Sequence, residues 1–505
     1  GSGVSSIISA KHSYLDQSSQ VIYNYIDPDG LPFSFTDLYG KVTFNGENGS
    51  KANIFGLYYD DQVRYQAVSD LNWNNQGIGG NFILIPSGSP VLVEGNFAYS
   101  QYKIRLQEEN LRDRTSAING FNGGLGFTYF KGDDEIKYGI EIVGFSTDFF
   151  YFNAANREVS QQENTTELAG YVRYKKKLGK LVLDPSFRVH YYASLSTPSF
   201  EPRIGAKYNV NDNFRLKFAA GVYSQNLIAA NSDRDVVNLF NGFISGPSTL
   251  QDEVMDENGD TREVKHSLQK ANHFILGAEI DFTKRFSLNV EGYLKRFTQL
   301  TNINRNKVFD NPEPGLEEYL YLDYIIETGD AYGIDFVFNY DLPSINLYAV
   351  YSLGKTTRWD GVQTYSPVFD RRHNVNLVGS YKFGKTRLWE FDVRWNMGSG
   401  FPFTQTQGFY EQYTFQNGTA SDVVNSNGEL GIVYGDLNGG RLPYYHRLDL
   451  TLKREIILST NSTLEANIGV TNAYNRENIF YFDRVNFERV NQLPFMPSAG
   501  LKVNF

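Results

Sequence analysis

The sequence predicts an all-β chain folded as a transmembrane antiparallel up-and-down β-barrel. Three observations lead there: a composition rich in rings and glycine, segments that alternate with period two, and connections that alternate between short and long. Of 505 residues, 35 are Tyr, 38 Phe and 46 Gly, against only 3 Met. Strand-favouring aromatics and turn-forming glycines abound, and the Leu/Ala/Glu/Lys blend of helical proteins is thin.

The same composition excludes several chemistries. With no cysteine there is no disulfide framework, thiolate metal site or Cys nucleophile. A net charge of −10 repels nucleic acid. No run of 18 apolar residues is available for a spanning helix. The first residues, GSGVSSIISAKHSYLD, carry no secretion-signal pattern.

Period-two alternation places one apolar and one polar face on many segments. In RLDLTLK, Leu448, Leu450 and Leu452 oppose Arg447, Asp449, Thr451 and Lys453. In LWEFDVRWNM, Trp389, Phe391, Val393, Trp395 and Met397 oppose Glu390, Asp392, Arg394 and Asn396. TLEANIGVT sets Leu464, Ala466, Ile468 and Val470 against Glu465, Asn467 and Thr471. Counted this way there are about 20 strands, roughly 25 residues per strand and connection.

The connections separate a barrel from a sandwich. Tight polar turns are expected at 45–50, 87–89, 131–134, 178–180, 209–212, 283–285, 341–344, 384–386 and 458–462. Between them, long connections are expected at 16–32, 106–114, 152–162, 225–264, 300–318, 353–369, 399–440 and 475–491. One rim of tight turns and one of long loops is the asymmetry of outer-membrane barrels, with the short turns periplasmic and the long loops extracellular. In hydrocarbon every backbone group must be paired, and without helical spans a closed barrel satisfies that demand. Polar faces then line a wet lumen, and aromatics near strand ends suit the membrane–water interface.

Motifs that would imply other chemistry are weak. GSYKFGKT, Gly379 to Thr386, matches the phosphate-cradling pattern G-x-x-x-x-G-K-[ST]. Such a loop requires a helix starting at Lys-Thr, whereas the residues that follow alternate with period two; a hairpin turn is expected. The six His residues are scattered and lack metal-ligand spacing. DEVMDENGDTRE, 252–263, has the composition of a calcium loop, but Gly259 comes fourth after counting from Asp256, and Ser267 stands where the twelfth-position Glu is needed. There is no G-x-S-x-G elbow, and no cofactor or enzymatic role is expected.

Ligand contact is expected from aromatic and polar residues in the long loops. SGFPFTQTQGFYEQYTFQNGTASD, 399–422, offers Phe409, Tyr410, Tyr413 and Phe415 beside Gln405, Gln407 and Gln412. EEYLYLDY adds Tyr319, Tyr321 and Asp323; the loop 353–369 adds Arg358, Trp359 and Asp360. Rings interleaved with amides can grip a sugar or an aromatic chelate. Equally, they can pack loops together or complete the interfacial belt.

Across nearly its whole length the chain resembles the barrel of TonB-dependent receptors. GVSSIISAKHSYLD resembles an early strand of that family, with Lys11-His12 in place of the usual basic pair. LPFSFTDLYGKVTF, LQKANHFILGAEI, YGIDFVFNY, FDRRHNVNLVGSYKFG, LPYYHRLDLTLKR, IGVTNAYNRENIF and LPFMPSAGLKVNF follow in the family's order. At the end, Leu501, Val503 and Phe505 share one face, like the signal read by the barrel-assembly machinery.

The resemblance implies a 22-strand type of barrel, residues 1–505 forming the barrel domain without the plug and without its first two strands. A fragment is expected, or a chain whose missing parts come from a second polypeptide or surface lipoprotein. By the same resemblance the chain captures a scarce ligand (siderophore, cobalamin, glycan or peptide) and conducts it to the periplasm with energy from the TonB complex, acting through a plug. Its location is the outer membrane of a Gram-negative bacterium, in contact with lipid. A passive porin-like channel, or a structural or adhesive barrel working with a partner, stays open as an alternative.

Overall fold

In the computed structural model the described residues are 3–65, 69–108, 113–153, 157–230, 240–247, 249–312, 314–413, 429–483 and 488–505. Twenty-one strands belong to one sheet. One of them, Thr364–Tyr365, has two residues, which leaves twenty full strands, in line with the expected number. Among the described residues no helix is long and apolar enough to cross a membrane. The architecture is the all-β up-and-down one that alternation predicts, organised as two compact units.

The larger unit holds residues 1–231, 238–336 and 359–362. Its strands run Val4–His12, Phe33–Asn45, Lys51–Tyr65, Ser69–Leu84, Val91–Glu108, Arg114–Lys131, Asp134–Phe152, Glu158–Leu178, Leu181–Tyr192, Thr197–Asn211, Phe214–Gln225, Gln269–Thr283 and Phe286–Ile303. Each pairs antiparallel with its neighbour in sequence.

Register stacks apolar side chains on one face of this unit. Tyr99 pairs with Phe121, Leu125 with Ile140, and Ile142 with Leu168. This face is widely exposed: Phe97 is 59% exposed, Ile140 65% and Leu276 66%. Such a surface is a liability in water and a match for lipid. From Ile136 to Gly144 the outward positions are apolar or glycine. The next outward positions, Ser146 and Asp148, are polar, as are Asn164 and Gln162 paired with them. Nine residues of tilted strand cover roughly 20–25 Å, the height of a hydrocarbon-facing band. Tyr129, Tyr138 and Tyr174 lie at its turn-side edge, Tyr99 and Phe121 at its loop-side edge.

The strands overshoot that band. Val91–Glu108, Arg114–Lys131, Asp134–Phe152 and Glu158–Leu178 have 18, 18, 19 and 21 residues, whereas about 9–11 residues cross a bilayer. The surplus lies on the loop side. There the inner face is apolar too, and it is covered by a hairpin, Leu227–Ala230 with Gly242–Ser245. Ile228, Ala230, Phe240 and Ile244 pack with Ile104, Leu106, Phe149, Tyr151, Val159, Ile303 and Tyr324 in one buried cluster. Burial of each large side chain contributes about 1.5–3 kcal/mol. Part of the expected long loop 225–264 is therefore a structured element against the wall, because its LIAA and GFIS segments carry apolar residues that need cover.

The smaller unit holds residues 232–237, 337–358 and 363–505. Here Ile345–Trp359, His373–Phe383, Trp389–Gly398, Tyr445–Ser459, Ser462–Thr471 and Met496–Asn504 pair in that order. Like meets like across the ladder: Val393 pairs with Leu450 and Leu450 with Val470, while Glu390 pairs with Lys453 and Arg394 with Asp449. On the last strand Leu501 faces Ala466 and Val503 faces Leu464. Leu501 is 76% exposed and the terminal Phe505 98%.

All nine expected tight turns fall at strand connections. The GKT segment is one of them: Gly384 adopts φ +84° and Arg387 φ +53°, and the Arg387 amide donates to the Gly384 carbonyl at 3.2 Å. It is a hairpin, with strand rather than helix following. The other rim departs from strict alternation at two places. Residues 66–68 alone separate Tyr65 from Ser69, and a 3-10 turn, Ala193–Leu195, joins Tyr192 to Thr197. The second carries no Gly or Asn signal; Ser196 closes it in the left-handed region at φ +50°. A helix, Leu15–Ile22, forms inside the expected first loop.

Candidate functional site: the loop residues and the inner wall

The sequence-predicted loop residues are distributed over both units. In the larger unit Tyr319 sits on the 3-10 turn Glu318–Leu320, with Tyr321 just after it. Asn304 pins this turn, its amide donating to the carbonyls of Tyr319 at 2.6 Å and Leu322 at 2.7 Å. Asp323 pairs with Lys307, whose ammonium also donates to the Glu158 carbonyl at 2.7 Å. Trp359 points its indole N–H at the Met255 carbonyl, 2.7 Å away, and so ties the strand end to the hairpin Glu253–Met255/Thr261–Glu263.

Asp360 joins a buried triad. Arg305 donates to Glu327 at 2.6 Å and to Asp360 at 2.8 Å, and all three side chains are almost wholly out of water. Two carboxylates share one guanidinium, an arrangement that is costly to break. These bonds hold Trp359 and Asp360 in place at the end of their strand.

In the smaller unit the Arg358 guanidinium lies 5.5 Å from the Phe369 ring. Phe409 and Tyr410 lie on the hairpin Thr406–Gln412/Glu429–Tyr434, where Tyr410 faces Gly431 and is 49% exposed. A hydrogen bond from the Tyr413 hydroxyl to Glu411 holds Tyr413 above the usual phenol range. Phe415 lies outside the described residues. Asp370 fixes the base of these loops: it accepts the Thr356 amide at 2.7 Å and pairs with Arg441.

The acidic stretch 252–263 has its own explanation. The Asp256 carboxylate accepts the amides of Asn258 and Asp260, both at 2.9 Å, and the Asp260 amide above all holds it below the usual carboxylate range. It caps a turn. Among the described residues no group of three or more His, Asp or Glu side chains is placed to hold a metal.

A feature not singled out from the sequence lies on the inner wall of the larger unit. His190 Nε2 is 3.1 Å from Glu167, and its Nδ1 is 4.0 Å from Glu201. Glu201 is tied to Arg203 at 2.6 Å and accepts the Ser224 hydroxyl at 2.6 Å. Tyr192 stacks on the His190 ring at 4.1 Å and shares a hydrogen bond with Ser224 at 3.0 Å. Glu167, His190, Tyr192, Ser224 and Asn226 line a cavity of about 400 Å³, to which the base of the buried hairpin also contributes through Leu227. Within this cluster Arg203 already has its carboxylate in Glu201. The available signal was alternation in FRVHYY and SFEPR, which puts Arg188, His190 and Tyr192, then Glu201 and Arg203, on the polar face.

No family model matches the chain, and no curated protein does either. Solved structures do match. The alcaligin outer-membrane receptor FauA of Bordetella pertussis is 12% identical, covers 93% of this chain and 68% of its own, and superposes with a TM-score of 0.55. For the FrpB iron transporter of Neisseria meningitidis the figures are 10%, 100%, 77% and 0.65. For the ferric enterobactin receptor PfeA of Pseudomonas aeruginosa they are 9%, 100%, 76% and 0.64. At these identities the likeness establishes a shared fold, the β-barrel of outer-membrane receptors and transporters that the resemblance in sequence implied.

Proposed function

We propose that this chain is the barrel of a TonB-dependent outer-membrane transporter. Its loop side captures a scarce ligand, and its lumen conducts that ligand to the periplasm with energy delivered by TonB through a plug domain. The observation that carries this reading is the fold shared, over 93–100% of the chain, with outer-membrane receptors and iron transporters. The uncovered apolar band supports a place in lipid, with long loops extracellular and tight turns periplasmic. Siderophores head the ligand classes because three of the matched proteins handle ferric or siderophore cargo. The ligand contacts are Tyr319, Tyr321 and Trp359 in the larger unit and Arg358, Phe409, Tyr410 and Tyr413 in the smaller. Catalysis is not part of this role.

The test pairs uptake with conductance. Cells expressing the complete receptor should take up labelled ligand only when TonB is functional, and the complete, plugged receptor in planar bilayers should give no steady large-conductance state. Stable open-channel currents together with TonB-independent uptake would identify a passive porin instead. The double variant Trp359→Ala/Tyr410→Ala should bind ligand more weakly while assembling normally; unchanged binding discards the loop contacts but not the transporter.

A further inference from the structure

Among the described residues Arg371 is a cation without a counter-ion, in a neighbourhood where its flanking residues are fixed. It stands between Asp370, which holds the Thr356 amide and Arg441, and Arg372, which lies 3.8 Å from the same Asp370 carboxylate. Arg371 itself forms no ion pair among the described residues, and its Nε is buried with no hydrogen-bond partner. Its guanidinium lies 4.0 Å from the Phe401 ring centroid and 5.9 Å from that of Tyr445. Gly398 opens the seat: a Cβ there would come 2.4 to 2.6 Å from the guanidinium atoms. By alternation Gly398 shares the polar face of Asn396 and Arg394, so the guanidinium lies on the lumen side.

The energetics are incomplete as they stand. Burial pushes the guanidinium below its usual range, which marks a desolvation cost. Cation–π contacts return about 0.5–2 kcal/mol, and an unpaired, partly buried charge costs more than that when nothing neutralises it. Phe401 covers one face of the planar group. Its N–H edges are the part suited to a bidentate oxyanion, which is how guanidinium binds carboxylate and phosphate.

We propose that Arg371, in the cage formed by Phe401 and Tyr445, is an anion-recognition residue that takes a carboxylate or phosphate group of a soluble ligand. The inference rests on reading the chain as a ligand-binding barrel, and it narrows the ligand to one that presents such a group to the lumen.

The test is calorimetric titration of the detergent-solubilised chain with inorganic phosphate and, separately, acetate, alongside Arg371→Met and Arg371→Lys. The expected result is saturable binding to the unmodified chain, weakened by about tenfold or more in Arg371→Met and by less in Arg371→Lys. Phosphate should raise the melting temperature of the unmodified chain and leave that of Arg371→Met unmoved. Without phosphate Arg371→Met should melt no lower, because it removes an uncompensated charge. Equal phosphate binding by both forms would overturn the proposal. So would a lower melting point of Arg371→Met with equal phosphate shifts, the mark of a purely packing role. Binding seen only with phosphatidylglycerol vesicles would overturn the lumen assignment. Should Arg371→Met not fold, unchanged affinity in Arg371→Lys decides against it. Failure here leaves the transport role standing, since neither uptake nor membrane insertion is read by this assay.

Discussion

The Ser245 hydroxyl lies 3.0 Å from that of Thr147, across 98 residues of chain. Thr165 reaches the same oxygen at 3.3 Å, the Ser245 amide donates to Gln161 at 3.2 Å, and the Phe243 amide donates to Ser116 at 3.0 Å. The strand pair Leu227–Ala230/Gly242–Ser245 is therefore bolted to the wall by polar bonds as well as by its apolar cluster.

Because the protein has no native cysteine, Thr147→Cys/Ser245→Cys should yield a single disulfide on mild oxidation. Mass spectrometry of the non-reduced peptides would show it, and free thiols after oxidation would mean that the hairpin does not rest on this part of the wall. In the same region Ile244→Ala should cost about 2–5 kcal/mol, read as a fall in melting temperature.

Leu450 lies between Val393 and Val470 on the apolar face. Leu450→Arg should hinder insertion by about 2–4 kcal/mol at the bilayer midplane, whereas Thr451→Arg on the polar face should be far milder. Folding yield into liposomes measures both, and equal yields would reverse the assignment of faces.

The Arg305 triad makes a sharper stability prediction. Arg305→Met leaves Glu327 and Asp360 buried without their shared partner, and should destabilise the folded chain by about 3–5 kcal/mol. Adding Glu327→Gln and Asp360→Asn to it should recover part of the loss. Denaturant unfolding in detergent distinguishes the two; no recovery would point to shape rather than charge.

His266 predicts a dependence on pH. Burial first, then the nearby charges of Lys270 and Arg262, hold its imidazole below the usual 6.5, and its carbonyl accepts Gln299 at 2.6 Å. The folded form thus favours the neutral ring. Its contribution is present above about 6.5 and is lost as pH falls through the lower folded value. Hydrogen exchange of the 264–270 segment, corrected for intrinsic rates, should rise between pH 7.5 and 5, and His266→Gln should remove that change.

Local features were legible in the sequence. Alternation put Leu450 and Val393 on apolar faces and Glu390 and Lys453 on polar ones, because successive side chains of a strand point to opposite faces. Turn chemistry located Gly384 and the other tight turns. What long connections do was not legible. LIAA and GFIS look like apolar interruptions in a loop until Phe149 and Val159 are seen to need cover. The carbonyl that receives the Trp359 indole N–H belongs to Met255, 104 residues earlier, and left no sign in the sequence. Nothing near Arg371 in the sequence announces Phe401 and Tyr445, which lie 30 and 74 residues further along and meet it only when the strands are laid side by side.

With the loop side outward, as proposed, the surplus length of Glu158–Leu178 and its neighbours has a practical outcome for anything approaching the cell. On that strand about nine residues stand beyond the greasy zone, a rigid parapet ~20 Å high. An antibody or phage would meet pleated, hydrogen-bonded backbone there instead of pliable tips. Sera raised against short synthetic peptides should recognise this region poorly, and only the folded protein would serve as a faithful immunogen.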